Sequence, residues 1–311
     1  MEAAGVTGAG SEWAREALSE AGRCHGALVL KSAGGAFWLE PATPSDVPEL
    51  ACLNLSVKLD LADCETALLH PETGFARRGG FFKVMDADEL RSCLNDPRSL
   101  IFVLRAVAED EDTGRIVASL WVSLDDPGFA EPSASLTGYL REHPALAAAL
   151  REGRVCYGRE LIVARDATRY LSPVAALFYG SFRALHAAGF AYALSEVYRV
   201  VEYHSGAPAA EAGPGAAECG HVVNIINEAA LSSVAEAAGL RIARNRPRTL
   251  DFDGGLYLTI EPEIILFDLA LTVETLAHSL HNQKAGVAFV NAGERGGSSE
   301  CRTQTDGERH V

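Results

Sequence analysis

The chain has 311 residues, a formal charge of −15, 48% hydrophobic residues and 22% charged residues. That length holds one large domain or two ordinary ones, at roughly 100–200 residues each. The acidic balance argues against a nucleic-acid binder, which meets phosphate with clustered positive charge. No window carries the ~18 consecutive apolar residues of a membrane span, and the opening MEAAGVTGAGSEWAREALSEAG lacks the basic-then-apolar order of a signal peptide. The expectation is a cytoplasmic protein with neither a membrane nor a nucleic acid as partner.

Basic residues are mostly arginine, with lysine only at Lys31, Lys58, Lys83 and Lys284. Together with the Ala-rich segments, this reads as GC-rich coding and not as a site. Cysteines stand at Cys24, Cys52, Cys64, Cys93, Cys156, Cys219 and Cys301. The number is odd and no pair is spaced C-x-x-C. This is neither a disulfide framework nor a zinc ribbon, and it suits small core hydrophobes in a reducing compartment.

In chain order, residues 1–10 are Gly/Ala-rich. Ser11 to Ala21 reads as a short helix capped by Ser11 and followed by Gly22. Cys24 to Leu30 reads as an edge strand and Phe37 to Glu40 as a short strand. Thr43-Pro44-Ser45-Asp46 opens a helix, with Thr43 as cap and Pro44 in the first turn. A second helical stretch is expected from Val57 to Leu69, and a third from Asp86 to Leu94, ending at Asn95-Asp96-Pro97. Leu100–Leu104 and Ile116–Val122 flank a polar turn and predict a hairpin.

An Ala-rich helix follows over Ala134 to Arg151, then a strand from Val155 to Ala164. Ser172-Pro173 begins the clearest helix, with Val174, Leu177, Phe178, Phe182 and Leu185 at helical spacing and Gly189 past its end. Phe190 to Val197 reads as a strand and Ser205 to Gly220 as a loop long enough to suspect a lid. Asn224 to Ala238 reads as a helix. Leu240–Ala243 and Leu256–Leu269 are the last strands. From Gly286 on, the polar Gly/Ser-rich sequence reads as a disordered tail. Strand-helix-strand steps require parallel pairing and hairpins antiparallel pairing, so the pattern is α/β with a mixed sheet and helices on both faces.

Four stretches in this order resemble the GNAT superfamily of N-acyltransferases. WLEPATPSDVPELACLN is similar to the family's first strand and helix, and SLIFVLRAVAEDEDTGRIVASLWVSL to its second and third strands. GRELIVARDATRYLSPVAALFYGSFRALHAAGF is similar to the fourth strand, the cofactor loop and the helix behind it. NEAALSSVAEAAGLRIA is similar to its late helix. The likeness spans about residues 37 to 268. It implies a mostly antiparallel central sheet, with the fourth and fifth strands splayed. The implied domains are an N-terminal, partly helical arm over 1–36, the acyltransferase domain over 37–270, and a C-terminal helix and tail over 271–311.

The resemblance implies transfer of an acyl group, most simply acetyl, from acetyl-CoA or another acyl-CoA to a small-molecule or peptide amine, without a metal. Pyrophosphate suits a helix N-terminus such as Ser172-Pro173, and Arg165 and Arg169 stand just before it. Where the family has glycine in this loop, Ser172 and Val174 stand here, beside Leu171. The backbone N–H groups of the fourth strand, at Leu161, Ile162 and Val163, would polarise the thioester carbonyl. Glu160 is either the base that takes the amine proton or an outward residue paired with Arg159 or Arg199.

The family's late-helix tyrosine is replaced here by Val234 and Ala235. Of Tyr157, Tyr192, Tyr198 and Tyr203, Tyr198 is the candidate acid for the leaving thiolate. Asn227 matches a family residue that holds the cofactor arm, or else caps its helix. An inactive ligand- or partner-binding module and an enzyme using a carrier-protein donor are the alternatives.

Four other features remain. His204, Cys219 and His221 bracket the long loop but lack a fourth metal ligand. Cys156 reads as a core thiol more than as a nucleophile. Arg244, Arg246 and Arg248 would share one strand face. The segment 134–151 either covers the acceptor side or forms a homodimer surface.

Overall fold

The computed structural model describes residues 27–32, 35–58, 84–107, 114–125, 134–164, 167, 173–205, 239–244, 247–252, 256–282 and 286–290. Strands β1 (Ala27–Ser32) and β2 (Gly35–Pro41) come first. A single 3-10 turn (Pro44–Asp46) leads into α1 (Val47–Val57). Helix α2 (Ala87–Asn95) precedes β3 (Ser99–Val107) and β4 (Arg115–Ser123). Helices α3 (Ala134–Glu142) and α4 (Pro144–Arg151) lead to β5 (Val155–Val163), and α5 (Pro173–Ala187) connects β5 to β6 (Tyr192–Ser205). The chain closes with β7 (Gly239–Arg244), β8 (Arg248–Phe252), β9 (Leu256–Asp268), α6 (Leu269–Asn282) and β10 (Gly286–Val290).

One sheet holds all of these strands, in the order β10-β1-β2-β3-β4-β5-β6-β9-β7, with β8 also on β9. Every pairing is antiparallel except β5 with β6. The mixed, mostly antiparallel sheet expected from the sequence is therefore present. Helix α5 is the crossover that a parallel pair requires. It packs on β2, β3 and β4 with α6 against it, while α1 and α2 pack on β3, β4 and β5. Lying between the sheet and α6, α5 is buried from Pro173 to Phe182, and its Ser181 hydroxyl donates back to the Leu177 carbonyl at 2.7 Å. A buried hydroxyl thereby keeps a partner without leaving the helix.

Local chemistry fixes the ends of the helices. Asp86 accepts from the N–H groups of Asp88 (2.8 Å) and Glu89 (2.9 Å), and Glu89 accepts from the Asp86 N–H (3.0 Å). This reciprocal cap meets N–H groups that have no partner inside the helix. Gly189 follows α5 at φ 94°, a left-handed position that favours glycine. Arg105 ties β3 to the start of α1, donating to Glu40 (2.9 Å), Glu49 (2.7 Å) and Asp46. Glu49 also accepts from the Ile116 N–H at 2.6 Å.

Several sequence expectations change. The strand expected at the edge from Cys24 is β1, flanked by β10 and β2. Residues 286–290, expected in a disordered tail, form β10, because pairing along β1 satisfies their backbone groups. The helix expected over 134–151 is two helices that break at His143-Pro144, since proline has no N–H to continue the first. β6 runs on to Ser205, well past Val197. Arg244 ends β7 and Arg248 starts β8, so the arginines do not share one strand, and Arg244 pairs with buried Glu263 at 3.1 Å. The helices expected over Ser11–Ala21 and Asn224–Ala238 lie outside the described residues, as does most of the one expected over Val57–Leu69. Among the described residues, no helix is long and apolar enough to cross a membrane.

Candidate active site

The splay expected between the fourth and fifth family strands lies between β5 and β6. These pair from Val155↔Tyr192 to Gly158↔Ser195 and no further, although both strands continue. Close contact ends at Gly158, where a Cβ would meet the Ser195 Oγ at 3.2 Å and its Cβ at 3.5 Å. Beyond that point a cleft opens, with about 530 Å³ of space including the part open to solvent. Arg159, Glu160, Leu161 and Glu196 are among the residues that line it.

A bulge sits at the same place. The register between β4 and β5 passes from Trp121↔Glu160 to Val122↔Gly158, so Arg159 is an additional residue on β5. Bulges re-aim side chains and sharpen the local twist, and this one coincides with the parting of β5 from β6. Farther along, the Ala164 N–H donates to the Val117 carbonyl at 2.8 Å. Alternation back along the strand points the N–H groups of Ile162 and Glu160 toward β4. Those of Leu161 and Val163 point to the side that β6 has left.

Glu160 faces α2. It stands opposite Trp121, whose ring lies under the Arg159 guanidinium at 5.3 Å, and its charge acts on Cys93 of α2. Burial, with a second push from the Glu89 carboxylate, raises the Glu160 carboxyl from 4.5 to about 7. Among the described residues, none forms an ion pair with Glu160, so the outward, Arg159-paired reading does not describe it. Arg199 lies on β6 in register with Glu261 of β9.

The other expected residues divide. Leu161 and Ile162 are buried and Val163 half-buried on β5, the first of them in the cleft wall. Val174 is buried in the first turn of α5, away from the cleft lining. Tyr198 lies on β6 three residues past the last β5 pair, opposite Pro262 of β9, and Tyr203 lies farther along β6. Tyr157 is buried in a core cluster with Leu136 and Leu146, and Tyr192 packs against that cluster. Cys156 is a core thiol: it is fully buried, donates to the Tyr192 carbonyl at 3.6 Å, and is pushed up to about 12 by burial. Arg165, Arg169, Leu171, Ser172, Asn227, Cys219, His221 and Arg246 lie outside the described residues. His204 lies on β6. Among the described residues, no group of three His, Cys, Asp or Glu could hold a metal ion.

Sequence reasoning missed Glu196, Glu89 and Trp121. Glu196 follows the last residue of β6 that pairs with β5, so only the register could have singled it out. Glu89 accepts from the Asp86 N–H in the cap of α2, and its effect on Glu160 depends on where α2 docks.

No family model matches the chain, and no curated protein matches it. Among solved structures, it is similar to a ribosomal-protein-alanine N-acetyltransferase from Escherichia coli, at 12% identity and TM-score 0.40, covering 75% of this chain and 94% of that one. A spermidine N-acetyltransferase chimera from Vibrio cholerae gives 9% identity, TM-score 0.41 and coverages of 76% and 98%. An acetyltransferase of the GNAT family from Streptococcus pneumoniae gives 10%, 0.38, 73% and 98%. The solved structures that this chain resembles thus include GNAT-family N-acetyltransferases, and at scores this low the likeness assigns no residue of this chain a role.

Proposed function

We propose that the chain is an N-acyltransferase that moves an acyl group from an acyl-CoA thioester to an amine. The observation that carries this reading is the cleft itself. A carboxyl raised to about 7 stands where β5 and β6 part, beside strand N–H groups turned into the gap. Acyl transfer needs both features: a donor for the developing oxyanion, and a base whose pKa lies near the working pH.

The N–H groups of Leu161 and Val163 polarise the thioester carbonyl. Glu160, as carboxylate, takes the proton of the attacking amine, directly or through one water. The amine nitrogen adds to the carbonyl carbon. As the tetrahedral intermediate collapses, the carbon–sulfur bond breaks and the thiolate leaves. Tyr198 returns a proton to that sulfur. CoA supplies the activated thioester. Arg165, Arg169 and Ser172, which precede α5 in the chain, and Asn227 would hold its phosphates and arm, and a helix N-terminus favours anions.

Calorimetric titration with acetyl-CoA and butyryl-CoA tests the reading, followed by turnover against a panel of amines. Saturable binding is expected, with turnover lost in Glu160→Gln. No binding of either thioester at millimolar concentration refutes it. The inactive-module alternative is favoured by Ser172 and Val174 in place of loop glycines. It calls for Leu171, Pro173 or Val174 to fill the cleft; Leu171 lies outside the described residues, and neither Pro173 nor Val174 lines it.

A further inference from the structure

The bulge on β5 sets two groups of opposite charge side by side. Alternation along a strand would ordinarily send Arg159 and Glu160 to opposite faces of the sheet. The additional residue cancels that alternation. Glu160 stands opposite Trp121 of β4, and the Arg159 guanidinium lies over the Trp121 ring at 5.3 Å. The Cys93 thiol of α2, raised chiefly by burial, also feels both charges: Glu160 pushes it up and Arg159 pulls it down. The two groups therefore share the sheet face that α2 covers. Both line the cleft, with Glu196 on its β6 side.

Though adjacent in the chain, they do not neutralise each other. The Glu160 carboxyl is raised, by burial and then by Glu89, where a paired arginine would lower it. Arg91 and Arg98, exposed as Arg159 is, pair with Asp88 and Asp96. Among the described residues, no carboxylate pairs with Arg159. What holds its guanidinium is Trp121, itself fixed by an Nε1–H that donates to the Ser99 Oγ at 3.2 Å. A guanidinium steadied on a ring loses less freedom when its N–H fork takes up an anion.

A plain cation is drawn to Glu160 and Glu196 but repelled by Arg159. A molecule with both charges matches the set. Its ammonium goes to Glu160, which takes the proton, and its carboxylate to the fork of Arg159, whose shape suits a planar carboxylate. Because the two groups stand on consecutive residues, the two charges of the acceptor lie close together. CoA phosphates are the other anions at hand, but they belong near the start of α5. That helix packs on the opposite face, since Leu120 and Val122, on either side of Trp121, line the cleft with its Phe178 and Phe182.

We propose that Arg159 binds the carboxylate of the acceptor, and that the acceptor is a small amine bearing a carboxylate, as a free amino acid does. This deepens the acyltransferase reading and rests on it.

The test measures release of the CoA thiol with each free amino acid beside its primary amide, using whichever of acetyl-CoA and butyryl-CoA binds. Calorimetric titration of the thioester runs alongside, and circular dichroism checks the folding of each variant. For the preferred acid, kcat/KM should exceed that of its amide at least about tenfold. In Arg159→Gln the KM for that acid should rise about 10- to 100-fold, with thioester affinity unchanged and acid and amide now equivalent. Arg159→Lys keeps the charge without the fork and should recover part of the loss. Amides accepted as well as acids, no acid accepted, or a variant that weakens the thioester and not the acid overturns the proposal and leaves the acyltransferase reading standing. No binding of either thioester overturns both.

Discussion

Replacing Glu160 by Gln should abolish turnover and, at alkaline pH, make the protein more stable. The folded carboxyl holds its proton up to about 7, whereas its ordinary value is 4.5. Between these two values the folded state binds more protons than the unfolded chain. Stability therefore falls as pH rises through that window, and the cost is fully present above it. A shift of that size corresponds to about 3 kcal/mol, because each pKa unit is worth about 1.4 kcal/mol. Gln occupies the same space without the charge and escapes the cost. Urea titrations of both proteins at about pH 5 and about pH 8.5 measure the difference. The variant should gain about 3 kcal/mol at the higher pH and less than about 1 kcal/mol at the lower. An equal difference at both values, or a wild type that gains stability across this range, would refute the claim that Glu160 is an ionisable group held in a desolvated cleft.

Other perturbations follow from the same geometry. Glu89→Gln keeps the acceptor of the α2 cap but removes the second of the two pushes on Glu160. The rise of kcat/KM with pH should then shift to lower pH, while burial, the larger cause, keeps it above the ordinary carboxylate range; an unmoved pH profile counts against the coupling. Tyr198→Phe should lower kcat about a hundredfold with little change in KM, the signature of a lost proton donor. A loss confined to KM assigns Tyr198 to binding. Arg105→Met strands three carboxylates, Glu40 on β2 and Asp46 and Glu49 at the start of α1, and should cost about 2–3 kcal/mol in denaturant titrations. This is less than for a fully buried group, because Glu49 is 36% exposed.

Much of the architecture was legible in local chemistry. The helix beginning near Asp86, the hairpin of β3 and β4, the apolar spacing of α5 and the stop at Gly189 each follow from residues close together in the chain. Elements whose existence depends on distant partners were misread. β10 is five residues without a periodic signal, and only β1 makes it a strand. The Ala-rich composition of 134–151 reads as one helix, yet the missing N–H of Pro144 divides it in two.

The candidate site divides along the same line. The sequence by itself determined the order of the elements from β2 to β6 in outline, the acidic residue in the apolar strand GRELIVA, and the aromatic spacing of α5. Those depend on composition and on periods of two and 3.6, which a chain carries wherever it folds. Tertiary structure alone decided what these residues do. The bulge at Arg159 and the end of pairing at Gly158 open the cleft, and the docking of α2 brings Glu89 to bear on Glu160. Packing of α5 beside Phe267 of β9 brings three phenylalanines together. A carboxyl's proton affinity and a cavity's chemistry are set by neighbours far away in sequence, so they exist only once the sheet has closed around them.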